Sequence, residues 1–252
     1  MTTAAVPDIR AVLCLHGFTG SPFEVQPLAD GLARAGYRVG VPTLAGHGAD
    51  VAALEATGWP DWLRSAEEAF DELAAATTGR VAVLGFSMGG LLALQLAKSR
   101  APRVAALALL SAPFRLRPAQ MRGIRILGAI PRLLRRGPLR AVPKLFGSSV
   151  SDPEARRANP GLRSMPVLGL QSLLDLMKNT RAGLGDITAP AMVVHGRHDR
   201  TVPISASIEL ADTLETAERL WLEHSRHLIG VDVERALVAD AIASFLASRG
   251  HW

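Results

Sequence analysis

Short aliphatic runs alternate along this chain with segments in which apolar residues return every three or four positions. The runs are too short for helices and carry no internal polar alternation, so they read as strands buried on both faces. They fall near Val12–His16, Val39–Val41, Val81–Gly85, Val104–Leu110, Met192–His195 and Leu220–Leu222. The amphipathic segments between them predict helices near Glu24–Ala35, Asp61–Ala76, Met88–Ser99, Ser205–Thr213 and Val233–Ser248. Strands and helices in strict alternation imply a mostly parallel twisted sheet flanked by helices on both sides. One stretch breaks the rhythm. Between about Arg115 and Gly185, Pro118, Pro131, Pro138, Pro143 and Pro160 divide the chain into several short helical pieces, set between two sheet strands.

The candidate chemistry sits where strands end. Gly85-Phe86-Ser87-Met88-Gly89 follows one strand directly and opens a helix, so a Gly-x-Ser-x-Gly pattern stands in strand-turn-helix context. Small neighbours let the backbone turn sharply and lift the Ser87 hydroxyl above the sheet edge, beside the unpaired amides at the helix start. A serine needs a base and an acid to orient that base. Asp199 lies in the loop after Met192–His195; Asp186 precedes that strand, Asp175 falls in the insert, and the loop after Val104–Leu110 carries no acid. Asp199 is therefore the best acid. Both His224 and His227 follow the last strand, and strand order alone leaves both open as the base. The oxyanion amides are expected at Met88, next to the nucleophile, and at Phe18, in the glycine-rich loop His16-Gly17-Phe18-Thr19-Gly20 after the first strand. His16 and His47 read as structural braces. No histidine pair has helical metal-ligand spacing and Cys14 is the lone thiol, so neither a metal nor a cofactor is expected.

The chain resembles the carboxylesterase and monoacylglycerol lipase branch of the α/β-hydrolase superfamily, in particular small bacterial enzymes with a short cap. The segments that carry the likeness are Leu13-Cys14-Leu15-His16-Gly17-Phe18-Thr19-Gly20-Ser21-Pro22, Gly46-His47-Gly48, Gly58-Trp59-Pro60-Asp61-Trp62, Gly85-Phe86-Ser87-Met88-Gly89-Gly90, His198-Asp199 with Ser205-Ala206, and His227-Leu228-Ile229 with Asp232. By that resemblance the base is His227, the triad is Ser87, Asp199 and His227, and Phe18 and Met88 supply the oxyanion amides. The fold implied is an α/β-hydrolase core, residues 1–114 and 186–252, with a helical cap insert at 115–185. The antiparallel hairpin that opens larger members is expected to be missing or reduced to one strand. The chain departs from the pattern at Ser225-Arg226-His227, where relatives have glycine before the histidine.

Composition narrows the picture further. A chain of 252 residues with 48% hydrophobic content suits one large globular core. The amino terminus has no basic, apolar leader pattern, so a cytoplasmic location is expected. The net charge of +5 owes much to Arg115, Arg117, Arg122, Arg125, Arg132, Arg135, Arg136 and Arg140, which interleave with Met121, Ile124, Ile126, Leu127, Ile130, Leu133 and Leu134. Either this is a solvated cap whose apolar face lines an acyl pocket, or its basic face also makes weak contact with anionic lipid surfaces. No stacking or zinc-knuckle pattern accompanies the arginines, so nucleic acid is not an expected partner. The activity expected is hydrolysis of small-molecule carboxylic esters with short to medium acyl chains, monoacylglycerols included, through an acyl-enzyme on Ser87. A mostly apolar cap with no acidic pocket suits such uncharged chains. The same triad serves thioesterases and carbon–carbon hydrolases, and the fold also serves non-catalytic small-molecule receptors. Oligomeric state is not readable from the sequence.

Overall fold

The computed structural model describes residues 10–77, 79–129, 140–144, 149–214 and 217–249. Six strands form the central sheet: β1 (Ala11–Leu15), β2 (Arg38–Gly40), β3 (Val81–Phe86), β4 (Val104–Leu110), and, past the insert, Ala191–Gly196 and Glu218–Leu222. Between β1 and β4 lie α1 (Gln26–Arg34), α2 (Val51–Glu55), α3 (Trp59–Ala75) and α4 (Met88–Ser99). The insert contains α5 (Pro118–Ala129), β5 (Ala141–Pro143), α6 (Pro153–Ala158), β6 (Ser164–Pro166) and α7 (Val167–Arg181). The last two sheet strands are then β7 and β8, with α8 (Ile204–Thr213) between them and α9 (Arg235–Ser248) closing the fold.

The sheet order is β2-β1-β3-β4-β7-β8, and every pairing is parallel. Its four inner strands, β1, β3, β4 and β7, are buried on both faces, while the edge strands β2 and β8 stay partly exposed. Ala11, Leu13 and Leu15 of β1 pack into the core that also holds Trp62, Phe70 and Leu91, while Val12 and Cys14 point into the opposite core with Leu28, Val238 and Phe245. This double burial is why the strands carry unbroken aliphatic runs. Burial pushes the Cys14 thiol up to about 12, so it behaves as a small apolar side chain.

Element boundaries follow local chemistry. Helix α3 begins at Trp59 rather than Asp61 because Pro60 sits in the first turn, where its missing N–H is not needed, and Asp61 Oδ2 accepts the Gly58 N–H at 3.0 Å. Helix α2, absent from the sequence-based expectation, is capped by Asp50, whose Oδ1 accepts from Ala53 N at 2.8 Å. The insert is not purely helical. Strands β5 and β6 pair antiparallel, Ala141 opposite Pro166 and Pro143 opposite Ser164. Three-residue strands are too short for periodicity to reveal, and proline is tolerated at such edges. The second half of the basic run, Ile130 to Arg136, and the residues before Arg10 that bear on the opening hairpin lie outside the described residues. Among the described residues no helix is long and apolar enough to cross a membrane.

The topology sets the site. From β1 the chain runs to β2 on one side and then to β3 on the other, so the carboxyl ends of β1 and β3 flank a crevice where the winding reverses. Open parallel sheets bind ligands at such a switch point.

Candidate active site

Loops leaving the carboxyl ends of β1, β3, β7 and β8 carry the sequence-predicted residues to one place. Ser87 occupies the turn between β3 and α4 with φ +52° and ψ −118°, a conformation costly for a non-glycine residue and characteristic of a strained functional turn. The turn closes only because its flanks are glycines: a Cβ at Gly85 would overlap the Gly89 backbone, and one at Gly89 would overlap the Leu15 carbonyl. Ser87 N donates to Leu110 O at 2.8 Å, tying the turn to β4.

His227 Nε2 lies 3.1 Å from Ser87 Oγ, and His227 Nδ1 lies 2.7 Å from Asp199 Oδ2. The carboxylate accepts only, so Nδ1 carries the proton and Nε2 faces the serine hydroxyl with a lone pair. Asp199 is 7% exposed, and its Oδ1 accepts Thr201 N at 2.7 Å and Val202 N at 3.0 Å. Burial alone would raise its pKa, but the His227 charge and hydrogen bond, the nearby His195 and the Val202 N–H outweigh it and hold the carboxyl below its usual range.

The histidine loop is held by two acids. Asp232, fully buried, accepts Arg226 N at 2.8 Å, Ser151 N at 2.8 Å and Asp152 N at 3.0 Å, and Glu234 accepts His224 N at 3.0 Å and the Ser225 hydroxyl at 2.6 Å. Arg226 is not among the non-glycine residues with positive φ. An arginine therefore fits at this position without strain, held through its backbone N–H. His224 is exposed and belongs to this scaffold; it does not approach Ser87.

The loop after β1 is built to aim one amide. His16, fully buried, contacts Gly17 O through Nδ1 at 3.0 Å and receives the Leu44 N–H on Nε2 at 3.2 Å. Since Nε2 accepts, Nδ1 is the donor and the ring is neutral. Burial, then the neighbouring His47, lower its pKa to about 3. Gly17 O also accepts from Gly20 N at 3.1 Å. Two donors thus turn that carbonyl away, and in a trans peptide the Phe18 N–H must point to the opposite side. Phe18 N and Met88 N donate to no other group among the described residues. His47 has the same bracing character: Nδ1 meets Ala45 O at 3.0 Å, and burial lowers its pKa to about 4.

Three features escaped the sequence reading. His195 is fully buried, with Ser207 Oγ 2.8 Å from Nδ1, Val202 O 3.3 Å from Nε2, and Asp199 Oδ2 3.4 Å from Nε2. The two oxygens near Nε2 only accept, so the proton sits there and Ser207 donates to Nδ1. Glu24, placed by periodicity at a helix start, is instead 4% exposed beneath the first loop, its Oε2 accepting Gly17 N at 2.9 Å. Glu24 lines the cavity over Ser87 and comes from the segment before α1; the described residues that the insert contributes to that lining include no acid. The third feature is Ser149, which lines the same cavity and whose buried hydroxyl has no hydrogen-bond partner among the described residues.

A cavity of about 370 Å³ opens over Ser87 and His227, within the range of small-molecule sites. Leu116, Ile124, Leu127, Leu170 and Leu173 form its apolar wall. Among the described residues no group of three or more His, Cys, Asp or Glu side chains is arranged to hold a metal ion.

Comparison with known proteins extends this picture. The chain is 30% identical over 238 residues to a thermostable monoacylglycerol lipase of Bacillus sp. (strain H-257), covering 94% of this chain and 90% of the relative. It is 28% identical over 239 residues to a carboxylesterase of Bacillus subtilis (strain 168), covering 94% and 92%. Among solved structures, one from a study of the metagenome-derived lipolytic enzymes LipS and LipT superposes with a TM-score of 0.84 at 26% identity, covering 97% of this chain and all of that one. Fold and relatives together define a serine ester hydrolase with the α/β-hydrolase fold, on the carboxylesterase and monoacylglycerol lipase branch. The chain belongs to the family described as serine aminopeptidase, S33, which it matches over residues 7–234.

Proposed function

We propose that this enzyme cleaves carboxylic esters with short to medium acyl chains, monoacylglycerols among them, with Ser87 as nucleophile, His227 as general base and then acid, and Asp199 as the group that orients it. The observation that carries the reading is the unbroken hydrogen-bonded chain from Ser87 Oγ through His227 to Asp199, with steps of 3.1 and 2.7 Å. His227 takes the serine proton as Oγ attacks the ester carbonyl, and Asp199 stabilises the imidazolium. The Phe18 and Met88 amides receive the oxyanion, each contributing about 3 kcal/mol to the barrier reduction. The proton on His227 passes to the departing alcohol, and water activated by the same ring releases the acid.

Residues 115–185 act as a cap over a core of residues 1–114 and 186–252. Support comes from the cavity wall: α5 and α7 contribute the apolar side chains that would meet an acyl chain. On the outer face of α5, Ile126 is 61% exposed beside exposed Arg122 and Arg125, which make no ion pair among the described residues. That face suits weak contact with anionic lipid, each arginine adding about 1 kcal/mol; equal co-sedimentation with anionic and neutral vesicles would refute it.

The catalytic reading is tested by Ser87→Ala on p-nitrophenyl esters of increasing acyl length and on monoacylglycerols. Loss of at least about three orders of magnitude in kcat is expected, with a residual rate from binding and the oxyanion amides. Unchanged turnover in a folded variant would overturn it.

A further inference from the structure

The loop after β1 is held by more than its own residues. Thr19 is 1% exposed and adopts φ +62°. That is the left-handed region, which a β-branched residue keeps only where its surroundings over-determine it. The surroundings here are three pinned carbonyls in a row. Gly17 O accepts from His16 Nδ1 and from Gly20 N, Phe18 O accepts the Thr19 hydroxyl at 2.5 Å, and Thr19 O accepts the Leu162 N–H at 2.9 Å. The first two are held from within the loop and its approach. The third is held by the insert, two residues before β6.

A second contact joins the same two parts. Gly169 lies in the first turn of α7, and a glycine within a helix weakens it relative to alanine, so its presence calls for a packing reason. The reason is Phe18. A Cβ at residue 169 would lie 2.8 Å from the Phe18 Cζ, closer than side chains approach. The ring has little room to retreat, since Trp62 and His47 crowd it at centroid distances of 5.5 and 6.3 Å. Beside Leu162 the pattern repeats: a Cβ at Gly161 would lie 3.2 Å from Thr19 O. The insert therefore presses its backbone onto two consecutive residues of the loop, Phe18 through its ring and Thr19 through its carbonyl.

Resting on the hydrolase reading above, we propose that the insert is a working part of the oxyanion site, with Thr19 and Gly169 as positioning residues: Leu162 N–H seats Thr19, Gly169 seats the Phe18 ring, and together they aim the Phe18 amide at the reacting carbonyl. The insert then sets the turnover number as well as bounding the cavity. Its effect is felt in the transition state, where negative charge gathers on the carbonyl oxygen, far more than in the bound ester, whose carbonyl is a weaker acceptor. Loss of either support lowers kcat and leaves KM nearly unchanged.

The test measures kcat and KM on p-nitrophenyl butanoate for wild type, Gly169→Ala, Thr19→Val and Thr19→Ser. In parallel it measures inhibition by an alkylboronic acid, whose tetrahedral serine adduct places an oxygen in the oxyanion site. Gly169→Ala sets one methyl group against the Phe18 ring and should lower kcat about 10-fold, below the 10²–10³ of a donor lost outright, with KM within about twofold and boronate affinity weakened in step. Thr19→Val keeps the side-chain shape without the bond to Phe18 O and should lose about as much. Thr19→Ser keeps the hydroxyl and should recover most of that loss. Wild-type kcat in folded Gly169→Ala, a loss carried by KM alone, or a Thr19→Ser as slow as Thr19→Val would overturn the proposal, while wild-type turnover would leave the hydrolase reading intact. If Gly169→Ala does not fold, Gly161→Ala, which crowds Thr19 O, carries the same expectation and the same refutation. A folded wild type inert toward the ester would bring down the hydrolase reading and this proposal with it.

Discussion

His16 offers a separable test of how the oxyanion site is held. Its two nitrogens do different jobs: Nδ1–H holds Gly17 O at 3.0 Å and so turns the Phe18 amide inward, while Nε2 satisfies the buried Leu44 N–H at 3.2 Å. Asparagine places an amide nitrogen near the position of Nδ1, whereas glutamine places its amide near Nε2. His16→Asn therefore keeps the bond that orients the Phe18 peptide and abandons Leu44; His16→Gln does the reverse. Complete loss of one oxyanion donor costs about 10²–10³ in kcat. Gly20 N still holds Gly17 O at 3.1 Å in either variant, so the loss in His16→Gln should be partial, about 10- to 100-fold. His16→Asn should keep kcat within about threefold but lose roughly 1–3 kcal/mol of stability from the orphaned Leu44 N–H. Steady-state kinetics on a p-nitrophenyl ester, with urea unfolding in parallel, read both quantities. Equal kcat losses in the two variants, or a larger loss for asparagine, would refute the peptide-orientation argument.

Other outcomes follow from the same geometry. Asp199→Asn should cut kcat by about 10³–10⁴ with a small change in KM, because an amide in that position no longer enforces the proton on Nδ1; ester kinetics on the folded variant check it. Stability should fall as pH drops from 7 to 5. Burial lowers the pKa values of His16 to about 3 and His47 to about 4, so below about pH 6.5 the unfolded chain takes up protons that the folded one refuses, at about 1.4 kcal/mol per pH unit for each ring. Glu24 acts in the opposite sense, since burial raises its pKa and the folded state holds its proton more tightly, so Glu24→Gln should make the fall steeper. Urea midpoints measured at pH 7, 6 and 5 test both signs.

What the sequence disclosed, and what it hid, divides along physical lines. The four inner sheet strands were legible because each is buried along its whole length and therefore written as a nearly uninterrupted aliphatic run, Val104–Leu110 being the clearest, whereas the partly exposed edge strands β2 and β8 offered only short aliphatic stretches. The Ser87 turn was legible because its sharpness demands small residues at fixed positions, and the acid could be placed at Asp199 because parallel strands send their carboxyl-end loops to one edge. Periodicity alone did not separate His227 from His224; the family resemblance did. Glu24 was misjudged because a lone acid in an amphipathic segment looks like a solvated first-turn residue, and its burial depends on a loop that folds over it from seven positions upstream. The 3.4 Å approach of His195 to Asp199 is written in the packing of one loop rather than in any spacing. The β5–β6 ribbon consists of segments of three residues, below the length at which alternation can be recognised.

The central claim is that Ser87 is the nucleophile activated by His227. Treating the folded wild-type protein with a fluorophosphonate and mapping the adduct by peptide mass spectrometry tests it most directly. The account predicts a single stoichiometric adduct on the peptide containing Ser87, and its loss in His227→Ala. An adduct on another serine, or a folded wild type that takes up none, would contradict it.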